Sequence, residues 1–543
     1  MNTQTTTDAT EEKPRIPWPF HQRWRISGCL IAESPLFIGS GNTSHRDHLK
    51  NDDELVEIAD CLRGANDWPA LPATSLKGVL RAWLGREEEE QIKRLFGEDS
   101  KENNSGRGGE VEFLDAHLTL PRNSDTPLPH WDQDKQTWVE IINSIDRERG
   151  VAAENHLAHR ETVAAGSGFE LEITGQFSQP QNDIPLLLAA LEGFNDPENP
   201  VLLGADTISG KGRMHWELAV VERLDATSVL EWLEDPNRGM AQQAFQPLPT
   251  EELATLKESA TVYTGMEEKV WNFPLTLHFN GPFLVNNPST DEEMDVPQDQ
   301  KPAHARPRTN EMGQVILPAK SLRGVLRSQG EKILRTLLDM EDEQWINSEL
   351  QQFVERRIAC RPEIPTRACN PLKGKEEAGE KLCLACQLFG APGWRSPMAI
   401  TDFTLKPGDY ERQTQEMLAV DRFTGGGKDK AKYNAQAIID PVLEGRVKLD
   451  KRRAPGWGLG LLALLLRDLK EGELRFGWGA AGKGYGHCTA EIDKWDDHAL
   501  RQDAQAAWGE LIKLIKEHID TLKENLPHTE DEQATKPEAS GHE

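Results

Sequence analysis

Hydrophobic and polar residues alternate through Trp24-Arg-Ile-Ser-Gly-Cys-Leu-Ile31 and again through Phe273-Pro-Leu-Thr-Leu-His-Phe279. A period of two predicts a half-buried strand, and one such strand opens each half of the chain. After a long polar connection the apolar positions change to a helical period, just behind Ser75 and Ser321, which the pattern predicts as N-caps. The apolar run Gly460-Leu-Leu-Ala-Leu-Leu-Leu-Arg467 is far shorter than the roughly 20 residues of a membrane span and predicts a buried helix. A last amphipathic helix is expected at about 500–524. Each half reads strand, long loop, helix, Leu-Phe-Gly, strand, irregular region, helix, glycine-rich turn, strand. Regular βα alternation is absent, so each half is expected to be α+β rather than doubly wound.

The two halves share more than a pattern. Leu71-Pro-Ala-Thr-Ser-Leu-Lys-Gly-Val-Leu-Arg81 returns as Leu317-Pro-Ala-Lys-Ser-Leu-Arg-Gly-Val-Leu-Arg327, identical at nine of eleven positions. Leu95-Phe-Gly97 is answered by Leu388-Phe-Gly390, Phe113-Leu-Asp115 by Ile400-Thr-Asp402, and His159-Arg-Glu161 by Asp421-Arg-Phe423. Ser209-Gly-Lys-Gly-Arg213 is answered by Ala481-Gly-Lys-Gly-Tyr-Gly486. The offset drifts from 246 to 293 and back to 272 while the order holds, which marks a tandem duplication with unequal insertions rather than a solenoid. The expected organisation is a disordered leader at 1–23, a first domain at 24–222 and an acidic bridge at 223–271. A second domain follows at 272–495, with an insertion at about 358–388, then a C-terminal helix at 496–526 and a disordered tail at 527–543.

The formal net charge is -28, which opposes nucleic-acid binding unless cations cluster locally. They fall inside the repeated motifs, and phosphates respond to potential within about 8–10 Å. Lys77 and Arg81, like Arg323 and Arg327, are four apart and share a helix face. The glycine-rich turns lack the spacing of a nucleotide P-loop but carry Lys211 and Arg213, or Lys483 and Tyr485, which suit a nucleic-acid backbone and a stacked base. The apolar stretches are too short to span a membrane, the polar N-terminus lacks a signal-peptide pattern, and seven unevenly placed cysteines argue against a disulfide framework. A cytoplasmic protein is expected.

Cys360, Cys369, Cys383 and Cys386 follow a C-x8-C-x13-C-x2-C spacing that suits tetrahedral, structural Zn²⁺. The loop before the first shared helix holds Asp47, Asp52, Asp53, Asp60 and Asp67. Its counterpart holds Asp291, Asp295 and Asp299 with His304. His156 and His159 are further acid–base candidates.

The Pro-x-x-Ser-Leu-Lys/Arg-Gly helix, Leu-Phe-Gly and the closing glycine-rich turn, found twice in order, resemble the RAMP superfamily of CRISPR-associated proteins. The likeness is closest to backbone subunits of type III effector complexes, here two fused in a type III-D-like chain. The resemblance implies two tandem ferredoxin-like, RRM-type domains with thumb-like hairpins near 119–165 and 404–445, and a zinc-binding insertion in the second. It implies that CRISPR RNA is gripped by Ser75, Lys77, Arg81, Arg160, Lys211 and Arg213, and by Ser321, Arg323, Arg327, Arg422, Lys483 and Tyr485. It also implies other type III subunits and complementary target RNA as partners. A loop aspartate, with Mg²⁺ or another divalent cation, would cleave the target. Asp60 best fills that place in the first domain, with Asp299 and Asp295 the candidates in the second. The alternatives are a catalytically inert guide-binding subunit and a metal-independent processing ribonuclease that uses histidine.

Overall fold

In the computed structural model, placement is described for residues 22–525 except 47–49, 52–53, 86–88, 99–105, 107, 123–127, 129, 146–151, 198, 236, 238, 240–243, 262–269, 288–302, 304, 311, 338–356, 361–367, 370–381, 422, 479–481, 494 and 496. The expected tail, nearly all of the leader, Asp295, Asp299, His304 and Arg422 lie outside the described residues. The chain divides after residue 268 into two compact units, except that 144–156 groups with the second and 311–313 with the first.

In the first unit, strand β1 (Arg23–Ala32) alternates half-exposed and buried residues along its whole length, as the sequence pattern requires. The unit continues with β2 (Gly39–Ser44), β3 (Ile58–Cys61), α1 (Ala73–Leu84), α2 (Glu89–Phe96), β4 (Val111–Phe113) and β5 (Ala116–Leu120). A hairpin of β6 (Trp138–Ile145) and β7 (Ala152–Thr162) follows, then β8 (Gly168–Gln176), α3 (Pro180–Glu192) and β9 (Met214–Leu224). The main sheet is antiparallel in the order β9-β1-β8-β5, with β4 also on β8. Counting the core strands along the chain, this is the 4-1-3-2 order of a ferredoxin-like fold.

The second unit repeats that order. Its elements are β10 (Val270–Phe279), α6 (Ala319–Thr336; α4 and α5 are placed below), α7 (Leu384–Phe389), β11 (Met398–Ile400), β12 (Phe403–Leu405) and a hairpin of β13 (Arg412–Val420) and β14 (Gly427–Ile439). Then come β15 (Val442–Asp450), α8 (Gly458–Lys470) and β16 (Cys488–Ile492). The sheet order is β12-β15-β10-β16, with β11 on β15. Both inserted hairpins lie within the ranges expected for thumbs.

The segment expected to bridge the domains is built into the first unit. Strand β9 runs to Leu224, α4 (Ala226–Glu234) and α5 (Thr250–Ala260) follow, and Leu248, Leu253, Leu256 and Ala260 pack into the core that holds α3. The C-terminal helix α9 (His498–Asn525) does the same for the second core through Ala507, Leu511 and Ile515. The polar, acidic composition that suggested a linker belongs to the solvated faces of these helices. Among the described residues, no helix is long and apolar enough to cross a membrane.

Neither Ser75 nor Ser321 is an N-cap. Helices α1 and α6 start two residues earlier, with Pro72 and Pro318 at the cap position and no side-chain cap of their own. The cap is supplied from the neighbouring strand connection: Ala73 N–H donates to Asp115 Oδ1 and Ala319 N–H to Asp402 Oδ1, each at 2.7 Å. A carboxylate already meets the positive end of each helix, so that end is satisfied by the protein itself. Asp115→Ala and Asp402→Ala are each expected to cost about 1 kcal/mol, seen as earlier thermal unfolding. Ser75→Ala should change stability by less than about 0.5 kcal/mol.

Candidate RNA interface and metal centre

The glycine-rich turns are fixed by their own chain before they meet any ligand. Gly212 and Gly486 adopt φ of 71° and 72°, a region that strains other residues. A Cβ on either would lie 1.7 Å from a carbonyl oxygen, of Leu203 or of Phe476. Gly212 N–H donates to Pro35 O at 3.0 Å and Gly486 N–H to Pro282 O at 2.9 Å. A second pair repeats the device, since a Cβ on Gly204 or Gly477 would lie 2.4 Å from the carbonyl of Phe37 or Leu284.

This register corrects the sequence pairing of the turns. Gly212 matches Gly486, so Lys211 matches Tyr485 rather than Lys483. Both side chains reach the first strand of their hairpin: Lys211 Nζ donates to Glu140 on β6, and Tyr485 Oη donates to Gln415 on β13 at 2.5 Å. Tyr485 is 1% exposed and packs edge-on against Trp478, so it has no face for a base. Arg160 is also turned inward, bonded to Glu140 at 2.9 Å and Asp206 at 2.7 Å. His159-Arg-Glu161 lies at the base of its hairpin on β7, whereas Asp421 and Phe423 lie at the tip of theirs. The two triplets are therefore not equivalent.

Sequence reasoning missed the charge cluster behind that base. Glu161 is fully buried and is held by Arg63 at 2.5 Å, by Arg46 at 3.2 Å and by the Cys61 N–H. A buried carboxylate survives only when so paired. The second unit fills the corresponding space with Leu284, Ala305, Ala435, Ala437 and Tyr485, so the same hairpin is anchored by charge in one copy and by apolar contact in the other.

The remaining cations divide the same way. Lys77 is half-buried and Arg81 exposed on one face of α1, and burial, followed by the neighbouring Arg81, lowers the Lys77 ammonium. Arg213 makes a surface pair with Glu33 at 2.6 Å, and exposed Lys483 sits 3.6 Å over the Trp478 ring. Arg323 Nη2 donates to Met398 O at 2.8 Å. Arg327, the counterpart of exposed Arg81, turns inward to Gly390 O at 2.9 Å, Glu331 at 2.9 Å and Cys386 Sγ at 3.2 Å. Burial opposes its charge, but Cys386 and Glu331 outweigh it and raise its pKa.

Arg327 borders the four cysteines, whose sulfurs lie within 4.8 Å of one another. Zn–S bonds of about 2.3 Å place tetrahedral sulfurs about 3.8 Å apart, so the set fits zinc. Cys360, Cys383 and Cys386 are buried and Cys369 partly so. Backbone N–H groups of Cys360, Cys383 and Cys386 point at sulfurs at 3.3–3.4 Å. With Arg327, these donors offset the negative charge that four thiolates leave around a divalent ion.

Asp60 lies on strand β3 rather than in a loop, half-buried, and its Oδ1 accepts from Ser44 Oγ at 2.5 Å. Its counterpart follows from pairing. Ala59 pairs in parallel with Arg160, and Ala305 with Ala435. Gly39 opposes Cys61, and Asn286 opposes Pro307. Leu62 N–H donates to Ile38 O, and Arg308 N–H to Val285 O. The residue that stands where Asp60 stands is Arg306, and Arg160 is matched by Ala435. Among the described residues the cysteines are the only group of three or more metal-ligand side chains, and Asp60 belongs to no such group. Burial lowers His159 below its usual value, which leaves it neutral at pH 7.

Two ferredoxin-like units, each with a hairpin tied to a glycine-rich turn, define a duplicated protein of the RNA-recognition type. A family model, the RAMP superfamily, matches residues 29–215 and 301–489; the chain belongs to the RAMP superfamily. That membership makes it a CRISPR-associated RNA-binding subunit. A search of curated proteins gave no match.

The metal centre predicts one zinc per chain, measured by elemental mass spectrometry, and its loss in Cys386→Ser. Arg327→Ala should keep zinc but surrender it to a chelator about 10–100-fold more readily, whereas Arg81→Ala should leave zinc untouched.

Proposed function

We propose that the chain is a guide-RNA-binding backbone subunit of a type III effector ribonucleoprotein, two backbone domains in one polypeptide, acting in the cytoplasm with other effector subunits. The carrying observation is the hairpin tied to the glycine-rich turn in both units, by Lys211–Glu140 in one and Tyr485–Gln415 in the other. A hairpin locked at its base can present its tip to an RNA duplex without collapsing onto the sheet. The second tip is apolar and open, with Leu418 54%, Val420 61% and Phe423 98% exposed. Lys77, Arg81, Arg213 and Lys483 are the cations placed to meet phosphates.

A second reading, target-RNA cleavage in the first domain alone, is favoured by the contrast between Asp60 and Arg306. A carboxylate held by the Ser44 hydroxyl is a fixed proton acceptor on an inner strand of the hairpin sheet. The step that fits is attack of the RNA's own 2′-OH on the adjacent phosphorus, its proton passing to Asp60. The P–O5′ bond breaks and the departing 5′ oxygen takes a proton from water, leaving a 2′,3′-cyclic phosphate and a 5′-OH. Arg306 has no basic atom to accept that proton, so this position in the second domain supplies no base.

In assembled complexes, Lys77→Ser with Arg81→Ser is expected to weaken guide binding about tenfold or more, measured by fluorescence anisotropy. Asp60→Ala should remove one specific cut from end-labelled target by about 100-fold or more with guide binding intact. Arg306→Ala should leave the product pattern unchanged. An unaltered pattern in Asp60→Ala would make the first domain a scaffold.

A further inference from the structure

The turn after β15 gathers cations that the interface above does not use. Lys451, Arg452 and Arg453 follow Asp450 directly and are all exposed. Arg453 Nη2 donates to Arg395 O at 2.5 Å, which brings in a fourth cation from the segment before β11. Two carboxylates share the turn. Asp450 lies 3.4 Å from Arg452, and Glu510 reaches so near that a Cβ on Gly456 would lie 2.5 Å from its Oε2. Cations remain in excess, in a chain whose overall charge is -28. Burial and then Arg453 lower the Arg395 guanidinium, as expected where like charges are held together.

The place of this turn separates it from the interface above. Val442 pairs with His278 at the end of β15 next to the hairpin and glycine-rich turn, whereas Asp450 pairs with Val270 at the other end. Eight strand steps at about 3.3 Å put about 26 Å between them. The first unit is an internal control. Its β8 ends the same way, with Gln176 opposite Arg23, but Phe177, Ser178 and Gln179 follow. There Glu110 takes Arg94 at 2.7 Å and the Ser178 hydroxyl at 2.8 Å. The cation cluster belongs to the second copy alone.

We propose that Arg395, Lys451, Arg452 and Arg453 form a second RNA contact, peculiar to the second unit, that holds phosphates of single-stranded RNA about 26 Å from the hairpin base. Three of the four are arginines, whose planar forks match phosphate oxygens better than a point charge does. Lys451 lies 4.9 Å over the half-buried Trp271 ring, and an aromatic face beside cations suits a base more than an acidic peptide. The proposal rests on the RNA-binding reading for the identity of its polyanion.

The test is anisotropy of a fluorescein-labelled single-stranded RNA of about 30 nucleotides with the full chain, titrated over a range of salt. Lys451→Ser/Arg452→Ser/Arg453→Ser is expected to weaken binding about tenfold and to reduce the log–log salt slope by about 2, since each lost phosphate contact removes about 0.7. Arg452→Lys/Arg453→Lys, which keeps the charge, should retain the slope and shows that the turn still folds. Lys77→Ser/Arg81→Ser, run in parallel, should weaken binding independently. Wild-type affinity and slope in the triple-serine variant, with loss only in Lys77→Ser/Arg81→Ser, overturns this site and leaves the first interface standing. Loss of poly-glutamate binding without loss of RNA binding also overturns it, assigning the turn to an acidic partner. No loss in either variant removes the RNA-binding reading itself.

Discussion

The close approach of Gly212 to Leu203 O, repeated by Gly486 and Phe476 O, is the constraint on which each unit's working end depends. No side chain fits at either position, so the turn is pressed onto the segment before it and bonded to Pro35 or Pro282. That contact sets the residue one place earlier against the hairpin, and the hairpin's angle follows. The glycines therefore serve first to assemble the protein. Any nucleic acid meets a turn already shaped by its own backbone.

From that shared frame the copies diverge in electrostatics. The first anchors its hairpin through Glu140, Arg160, Lys211 and the buried Glu161, and keeps Lys77 and Arg81 on an open helix face. The second replaces the charged base with Ala435, Ala437 and Tyr485 and commits Arg327 to the cysteine centre. It has exposed cations elsewhere, at Lys483 and at the turn after β15. Duplication preserved the fold while moving the positive charge, which is how a chain of charge -28 retains local basic surface.

Much of this was legible in the residues. The alternating strands, the helix over 458–470 and the cysteine centre follow from period and spacing, because burial and tetrahedral ligation leave direct marks. The caps did not follow: Asp115 and Asp402 stood within the matched motifs, yet their partners at Ala73 and Ala319 lie 42 and 83 residues away. The pairing of Lys211 with Lys483 failed because identity of residue outweighed the glycine register. Arg81 and Arg327 occupy the same motif position but different surroundings, which no motif encodes. The absence of an aspartate at the second copy's counterpart of Asp60 is visible by counting back from Pro318 to Arg306, and strand pairing gives the same residue.

The account's central claim is that guide RNA lies along the hairpins and α1, with the glycine-turn residues Lys211 and Tyr485 behind it. Ultraviolet crosslinking of the assembled complex, followed by mass spectrometry of RNA-bearing peptides, tests this most directly. The account predicts crosslinks on the peptide around Lys77 and Arg81 and on the tip around Phe423, with none on Tyr485. Crosslinks on Tyr485, with none on α1 or the hairpin tip, would contradict it.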